Sequence, residues 1–196
     1  LLFLASFSAA KSFYFPSVRA DYAVADDASV AVREELTFAF SGDFHFAYRD
    51  LPKGAWAYSD VKVFELRNGV ETPGQFSFTD KGSVQEAYWN YEASNEQRTF
   101  VLRYTLKNAI KSYDDAYDFY WKAWGNEWDA SVSSFEATIV FPRQLFSGTR
   151  VWLHPALDAK YFLDGSVLKI SGRNIVVTGA SRGIGRGIAL ELAREG

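Results

Sequence analysis

The stretch SVAVREELTFAF, residues 29–40, decides the fold class because its apolar residues recur at every second position. An amphipathic helix would instead space them three and four residues apart. The same alternation returns in TFVLRYTLK (99–107) and in SFEATIVFP (134–142), which Pro142 ends. The pattern therefore predicts strands with one buried face. In the first stretch, the residues on that face are Val30, Val32, Leu36, Phe38 and Phe40.

Turn signals separate the predicted strands. Asn68-Gly69 and Asp164-Gly165 each supply residues that tolerate the positive φ angles of a two-residue hairpin. Many short strands with such turns, and no alternation of strand and helix, indicate an antiparallel arrangement. We therefore predict an all-β fold over residues 13–172, an antiparallel β-sandwich with an immunoglobulin-like layout.

One charged residue interrupts the apolar face of the first stretch. Glu34 has the same parity as Val32 and Leu36, so it is expected to point into the core. A buried carboxylate needs a partner, and Arg49 in HFAYRDLP is the attractive one in sequence. The sequence leaves two alternatives open. Glu34 and Arg49 form a buried ion pair, or a local bulge turns Glu34 outward and places Glu35 inward or at an edge.

Composition excludes several classes of function. The 196-residue chain has a formal net charge of -3 and no basic run, so no nucleic-acid partner is expected. It has no cysteine, which excludes disulfides and cysteine nucleophiles. With only His45 and His154, no metal site is expected. No Gly-x-Ser-x-Gly elbow or P-loop is present, and we predict no catalytic residues.

The chain begins LLFLASFSAAKSF, with an uncharged apolar run that ends in small residues. This pattern is typical of the apolar part and cleavage region of a secretory signal, so residues 1–12 are predicted to be a signal-peptide remnant. The run is too short to span a membrane. The alternative is an ordinary buried first strand.

Acidic and aromatic residues are densest in SYDDAYDFYWKAWGNEWDAS, residues 112–131. Flat rings that stack on sugars, beside carboxylates that accept hydrogen bonds, would form a carbohydrate platform. A carboxylate pair for acid–base catalysis is a second possibility. The third is a long connection packed over the sandwich by its own aromatic residues. The ligand-binding candidates are Tyr117, Asp118, Tyr120, Trp121, Trp124 and Trp128.

Three segments, in this order, resemble the N-terminal domain of predicted bacterial membrane proteins called domain of unknown function 2207. They are the glutamate-containing strand with the Phe-x-Tyr-Arg-Asp-hydrophobic-Pro stretch at 46–52, the acidic-aromatic stretch at 118–129, and a strand ending in Phe141-Pro142. The resemblance covers about residues 18–145, and the chain is expected to depart from the family after about Gly148. It implies a signal sequence, an extracytoplasmic β-sandwich and membrane attachment in the full-length protein, with no established activity.

The last residues, NIVVTGASRGIGRGIALELAREG (174–196), resemble the first strand, glycine loop and helix of short-chain dehydrogenases/reductases. The resemblance implies cofactor contacts at a helix N-terminus, leaning towards NADPH. The residues that would make them are Gly179, Ser181, Arg182, Gly183, Ile184 and Gly185. The predicted helix places Ile188, Ala189 and Leu192 on one side, which makes residues 173–196 a β-α appendage.

The glycine loop lacks the context that a reductase needs. The ribose-binding acidic residue belongs about 20 residues beyond the glycines, but only 11 residues follow Gly185. A truncated fusion, a spurious join and a co-opted last strand and helix remain as explanations. No cofactor is expected for this chain, and NADP is expected if the motif belongs to a complete reductase.

Together these patterns predict a non-catalytic extracytoplasmic ectodomain of a membrane protein. Its predicted role is to bind a ligand or partner at the cell envelope, either carbohydrate or protein. The alternative is an NADP-binding reductase fragment, fused or mis-joined to the sandwich. Extracytoplasmic location, through the signal peptide, follows from the first interpretation.

Overall fold

A computed structural model describes residues 11–112, 116–121, 130–145, 149–152, 160–175 and 188–193. These residues form strands and turns, and no helix lies among them. The strands are β1 (Ser12–Val24), β2 (Val30–Ser41), β3 (Asp43–Pro52), β4 (Ala57–Arg67), β5 (Val70–Pro73), β6 (Phe76–Asp80), β7 (Val84–Ser94), β8 (Gln97–Lys107), β9 (Ile110–Ser112), β10 (Ala116–Trp121), β11 (Val132–Val140), β12 (Arg150–Trp152), β13 (Lys160–Asp164), β14 (Val167–Ile175) and β15 (Ile188–Ala193).

The strands form one large sheet and two small ones. The main sheet has the order β13-β14-β11-β1-β2-β8-β4-β5, the three-stranded sheet β3-β7-β6, and the four-stranded sheet β12-β15-β10-β9. All pairings are antiparallel except β1 with β11, which run parallel in the centre of the main sheet. The predicted all-β, antiparallel fold is confirmed, although the main sheet is wider than either sheet of a seven-stranded immunoglobulin domain.

The core lies between the main sheet and the two small sheets. The alternating residues of β2, β8 and β11 all point inward, as their spacing predicts. Rings of the three-stranded sheet close against them: Trp89 lies 5.5 Å from Phe100, and Tyr91 lies 4.7 Å from the same ring. On the same face of the main sheet, the Phe119 ring of the four-stranded sheet lies 6.1 Å from the Tyr22 ring, centroid to centroid. One continuous hydrophobic cluster therefore spans all three sheets.

Both predicted hairpins are present. Asn68 and Gly69 have φ angles of 51° and 78° and join β4 to β5, as a type I′ turn requires. The second turn is shifted by one residue, because Asp164 pairs with Val167 and only Gly165 of the predicted dipeptide lies in the loop. Gly165 has φ 58°, so the left-handed position falls on the residue without a Cβ.

The helix predicted after the glycine loop is wrong over residues 188–193, which form β15. The sequence IALELA is ambiguous, because Ile188, Leu190 and Leu192 also alternate with the period of a strand. β15 pairs with β10 on one side and with β12 on the other, so its backbone groups are satisfied by the four-stranded sheet. Tertiary pairing therefore outweighs the helical spacing in this segment.

The boundaries of the predicted appendage also differ from the strands. β14 continues to Ile175, so residues 173–175 belong to the main sheet. Residues 1–10 of the predicted signal segment lie outside the described residues. Its last residue, Ser12, is the first residue of β1. The described part of the chain contains no helix of the length and hydropathy that a membrane crossing requires.

Candidate functional site

A buried ion pair joins the main sheet to the three-stranded sheet. Arg49 Nε donates a hydrogen bond of 2.9 Å to Glu34 Oε2, and Arg49 Nη2 donates one of 3.4 Å to Glu34 Oε1. The two residues are 4% and 2% exposed. Of the two alternatives that the sequence left open, the structure therefore contains the ion pair. Its occurrence follows from strand parity, which directs Glu34 from β2 and Arg49 from β3 into the same layer.

A third buried group completes the pair. The Tyr104 hydroxyl on β8 donates a 2.8 Å hydrogen bond to Glu34 Oε1. Both carboxylate oxygens thus have donors, which is the condition for holding a charge in an apolar interior. Burial raises the pKa of Tyr104 well above its ordinary value, and the negative charge of Glu34 raises it further. Tyr104 therefore remains a protonated donor to the carboxylate at neutral pH.

Aromatic side chains surround this network. Burial, and then the charge of Glu34, raise the pKa of Tyr22. The positive charge of Arg49 and the Trp121 indole act in the opposite direction on this pKa. Tyr58 donates a 2.8 Å hydrogen bond to the Pro52 carbonyl, and burial raises its pKa to about 12. The Tyr58 ring lies 5.6 Å from that of Tyr104, edge to face, so the network is shielded from solvent on this side.

The enclosed network can hold sheets together, but its geometry is unsuited to catalysis. Glu34 accepts from Arg49 and Tyr104 at once, so its oxygens are engaged by the fold. A general acid or base must reach a substrate proton, and Glu34 is 2% exposed. The Glu34 carboxylate therefore links β2 to β3 and β8 through buried hydrogen bonds.

The structure separates the ligand-binding candidates of the acidic-aromatic segment. Trp121 is 6% exposed and packs edge to face on Trp56, with 5.4 Å between ring centroids. This position favours the structural interpretation for Trp121. Tyr120 is 44% exposed and has the same strand parity as the half-buried Asp118, whereas the half-buried Tyr117 has the parity of Trp121. Trp124 and Trp128 lie outside the described residues.

Sequence reasoning missed an exposed aromatic surface on the three-stranded sheet. Phe46 and Tyr48 on β3 are 51% and 44% exposed. Tyr48 lies directly opposite Tyr88 of β7, and the Phe46 and Tyr88 rings stack with centroids 5.3 Å apart and planes 22° apart. We call this surface the aromatic face. It consists of Phe46, Tyr48, Asp50, Ser77, Glu86, Tyr88 and Asn90, which strand parity directs away from the core.

The signal for the aromatic face was present in the sequence. In FAYRDLP (46–52) the buried residues Ala47, Arg49 and Leu51 alternate with outward Phe46, Tyr48 and Asp50. The prediction from this stretch concerns Arg49 and does not extend to the aromatic residues on the opposite face. An aromatic residue at the solvent parity of a strand is the observation that would have found the surface.

The electrostatics of the aromatic face are acidic to neutral. Asp50 lies opposite Glu86 at one end, and the Lys81 Nζ approaches Glu86 Oε1 to 3.5 Å. At the other end, His45 Nδ1 lies 2.6 Å from Glu92 Oε2. The three strands contain no lysine, and their arginine, Arg49, is buried against Glu34. The face therefore presents hydrogen-bond acceptors and rings, without an arginine or lysine of its own strands.

The remaining sequence candidates lie outside the described residues. These are His154 and the predicted cofactor loop, Gly179, Ser181, Arg182, Gly183, Ile184 and Gly185. The NADP contacts of that loop stay a prediction. Within the described ranges, no three or more histidine, aspartate or glutamate side chains are grouped to hold a metal ion.

Residues 14–179 match the family described as "Predicted membrane protein (DUF2207) N-terminal domain". The chain belongs to this family. The resemblance inferred from three sequence segments is therefore confirmed, but the departure expected after Gly148 is wrong because the match continues to Gly179. It includes β14, which pairs with β11 over eight positions and is part of the main sheet. No curated protein has significant sequence similarity to the chain.

Solved structures share the fold at low sequence identity. A candidate nutrient-binding protein from Legionella pneumophila has a TM-score of 0.57 and 9% identity, with 92% of this chain and 67% of that chain covered. Leukotriene A4 hydrolase from Saccharomyces cerevisiae has a TM-score of 0.56 and 9% identity, with 92% and 29% covered. A variant of M1 zinc metallopeptidase from Deinococcus radiodurans has a TM-score of 0.51 and 8% identity, with 92% of this chain and 42% of that chain covered. The chain thus spans less than a third of the yeast enzyme, and the likeness concerns the fold alone.

Proposed function

We propose that this chain is a non-catalytic extracytoplasmic domain of a membrane protein and that it binds a ligand or partner at the cell envelope. Membership of a predicted membrane protein family supports the membrane context. The apolar run at the start of the sequence, read as a signal-peptide remnant, supports export. Binding is the function that the described surface favours.

The observation that carries the proposal is the exposure of the aromatic face. Phe46 is 51% exposed and Tyr48 is 44% exposed on one small sheet, although Phe and Tyr stabilise a protein most when buried. Clustered exposed rings mark interaction surfaces more often than single exposed apolar residues do. By contrast, the Glu34 carboxylate is enclosed by Arg49 and Tyr104, which favours binding over catalysis.

Binding is tested by sedimenting the full 196-residue chain with membrane and cell-wall fractions of the source cell. We expect saturable co-sedimentation, and Phe46→Ala is expected to weaken it. Phe162→Ala is the matched control, because Phe162 is also an exposed ring, at 64%, and lies on β13 of the main sheet. Equal binding by both variants would argue against the aromatic face, and absence of binding to either fraction would argue against the proposed function.

Location is tested in the parent protein by fusing β-lactamase directly after this domain. An extracytoplasmic domain places the reporter where it confers ampicillin resistance. A fusion that is produced at a normal level without conferring resistance would show that the domain faces the cytoplasm. That result would contradict the location but leave the binding measurements intact.

A further inference from the structure

We propose that the aromatic face binds an uncharged glycan chain. The inference rests on the proposed function, because it names the chemical class of the ligand. The face combines exposed rings with hydrogen-bonding groups and lies on one three-stranded sheet.

Three aromatic side chains are grouped on this face. Phe46 and Tyr88 are nearly parallel, with 22° between planes and 5.3 Å between centroids. Tyr48 adds a third ring, since it lies opposite Tyr88 across β3 and β7. The apolar C–H faces of a pyranose carry slight positive charge, which the negative face of an aromatic ring attracts. A group of rings across two strands therefore offers apolar contacts to the C–H groups of a sugar chain.

Polar groups of the right kind flank the rings. Asn90 lies opposite Phe46, and Ser77 lies opposite Tyr88 on the far strand. Both are exposed and both can donate and accept hydrogen bonds. Asp50 and Glu86 follow as the next opposed pair along β3 and β7, and the half-buried Glu86 adds a carboxylate acceptor. Sugar hydroxyls both donate and accept, so they match this mixture of amide, hydroxyl and carboxylate groups.

The charges of the face favour an uncharged glycan over an anionic polymer or a protein. β3, β6 and β7 contribute carboxylates to the face and direct no lysine or arginine outward, and the neighbouring Lys81 is paired with Glu86, so the face has little to attract an anionic polymer. Protein interfaces are depleted in Asp and Glu at their centre and enriched in Arg. The row of Asp50 and Glu86 beside the rings is therefore a poor fit to an apolar protein interface but a good one to hydroxyl groups.

The face is also held rigid before it meets a ligand. Tyr48 is followed by Arg49, whose guanidinium is fixed by Glu34 in the core. Tyr88 is followed by Trp89, which is fully buried. Each ring that points outward thus neighbours a side chain that is anchored inward, and little ordering is needed on binding.

Isothermal titration of the full chain with defined hexamers tests the inference. Cellohexaose and chitohexaose are the uncharged probes, a galacturonate hexamer is the anionic one, and a fully deacetylated glucosamine hexamer is the cationic one. We expect saturable binding of at least one uncharged probe and none of the anionic probe. Phe46→Ala and Tyr88→Ala should each weaken binding about two- to tenfold, the range of one aromatic contact. Tyr88→Phe should keep most of it, and Phe162→Ala should keep all of it.

The outcomes of the titration are distinguishable from those of co-sedimentation with membrane and cell-wall fractions. Binding of the cationic probe alone, or binding unchanged by Phe46→Ala and Tyr88→Ala, would overturn the inference. Absence of any glycan binding, with co-sedimentation that survives digestion of wall glycan but not proteolysis, would also overturn it. In that case a protein partner is indicated and the proposed function stands. If the folded chain binds neither the glycan probes nor the membrane and cell-wall fractions, both the glycan inference and the proposed function are overturned.

Discussion

Strand β3 has two faces that differ in what they contribute. Its inward residues Ala47, Arg49 and Leu51 are buried, and Arg49 closes an ion pair with Glu34. Its outward residues Phe46 and Tyr48 are about half exposed. Because strand side chains alternate, one stretch of seven residues, FAYRDLP, contributes both to the buried ion pair and to the surface proposed to bind a ligand. The two tasks are therefore separable by substitution, although they share one backbone.

The largest expected effect comes from the inward face. Arg49→Met should destabilise the fold by about 3–5 kcal/mol, because it leaves the Glu34 carboxylate buried without its cation. Urea unfolding followed by tryptophan fluorescence measures the loss. The double variant Glu34→Leu/Arg49→Met should recover much of it, since a buried pair replaced by apolar groups is often neutral. Equal instability of single and double variants would show that the pairing is not the cause.

A smaller loss is expected for Tyr104→Phe. It removes the hydroxyl that donates at 2.8 Å to Glu34 Oε1 while keeping the ring in place against Tyr58. A hydrogen bond to a charged group contributes about 1.5–3 kcal/mol. Tyr58→Phe is the matched control, because its hydroxyl bonds to the Pro52 carbonyl and not to the ion pair. Combined with Glu34→Leu, Tyr104→Phe should lose most of its effect; full additivity would contradict the coupling.

On the solvent face of the main sheet, a half-buried charge network should contribute less to stability, and its contribution should depend on pH. Burial alone would raise the pKa of Glu71, but hydrogen bonds from Arg103 and Arg33 lower it below 4.5. This contribution is present above pH 4.5 and is lost as the pH falls through the lower folded-state pKa. Glu71→Gln should cost up to about 1 kcal/mol at pH 7 and flatten the decline in acid. Parallel stability curves for the two proteins below pH 4.5 would refute this.

The smallest effect on stability is expected for the outward face of the three-stranded sheet. Phe46→Ala should change the free energy of unfolding by less than about 0.5 kcal/mol, because the ring is 51% exposed. Thermal denaturation by circular dichroism measures this change. A loss comparable to that of Arg49→Met would show that the outward ring is part of the core and would break the separation of the two faces.

The sequence predicts the strands better than it predicts their arrangement. Period-two alternation locates β2, β8 and β11, and the parity of Glu34 predicts its buried pairing with Arg49. Local pattern does not reveal that β1 pairs in parallel with β11, because the partners are far apart in sequence. Local pattern also predicts a helix for residues 188–193, whose apolar spacing fits both a helix and a strand. Pairing with the edge of β10 makes this segment a strand.

The site was predicted only in its buried half. Arg49 follows from the need of Glu34 for a cation, an argument that depends on charge and burial alone. The aromatic face depends on which strand lies beside which, since Phe46, Tyr48 and Tyr88 come together only through the pairing of β3 with β7. Trp121, chosen for its ring, lies in the core because β10 directs it towards Trp56. Ring-rich composition thus does not distinguish a buried ring from an exposed one.

The parallel pairing of β1 with β11 has a consequence for how the chain folds as it is made. Phe15 donates its backbone N–H to Ser131 at 2.9 Å, and Arg19 lies beside Glu136, 117 positions later. The centre of the main sheet therefore cannot close until β11 has left the ribosome. Contacts so distant in sequence slow folding. Until then, β1 lacks its neighbour on that side of the main sheet.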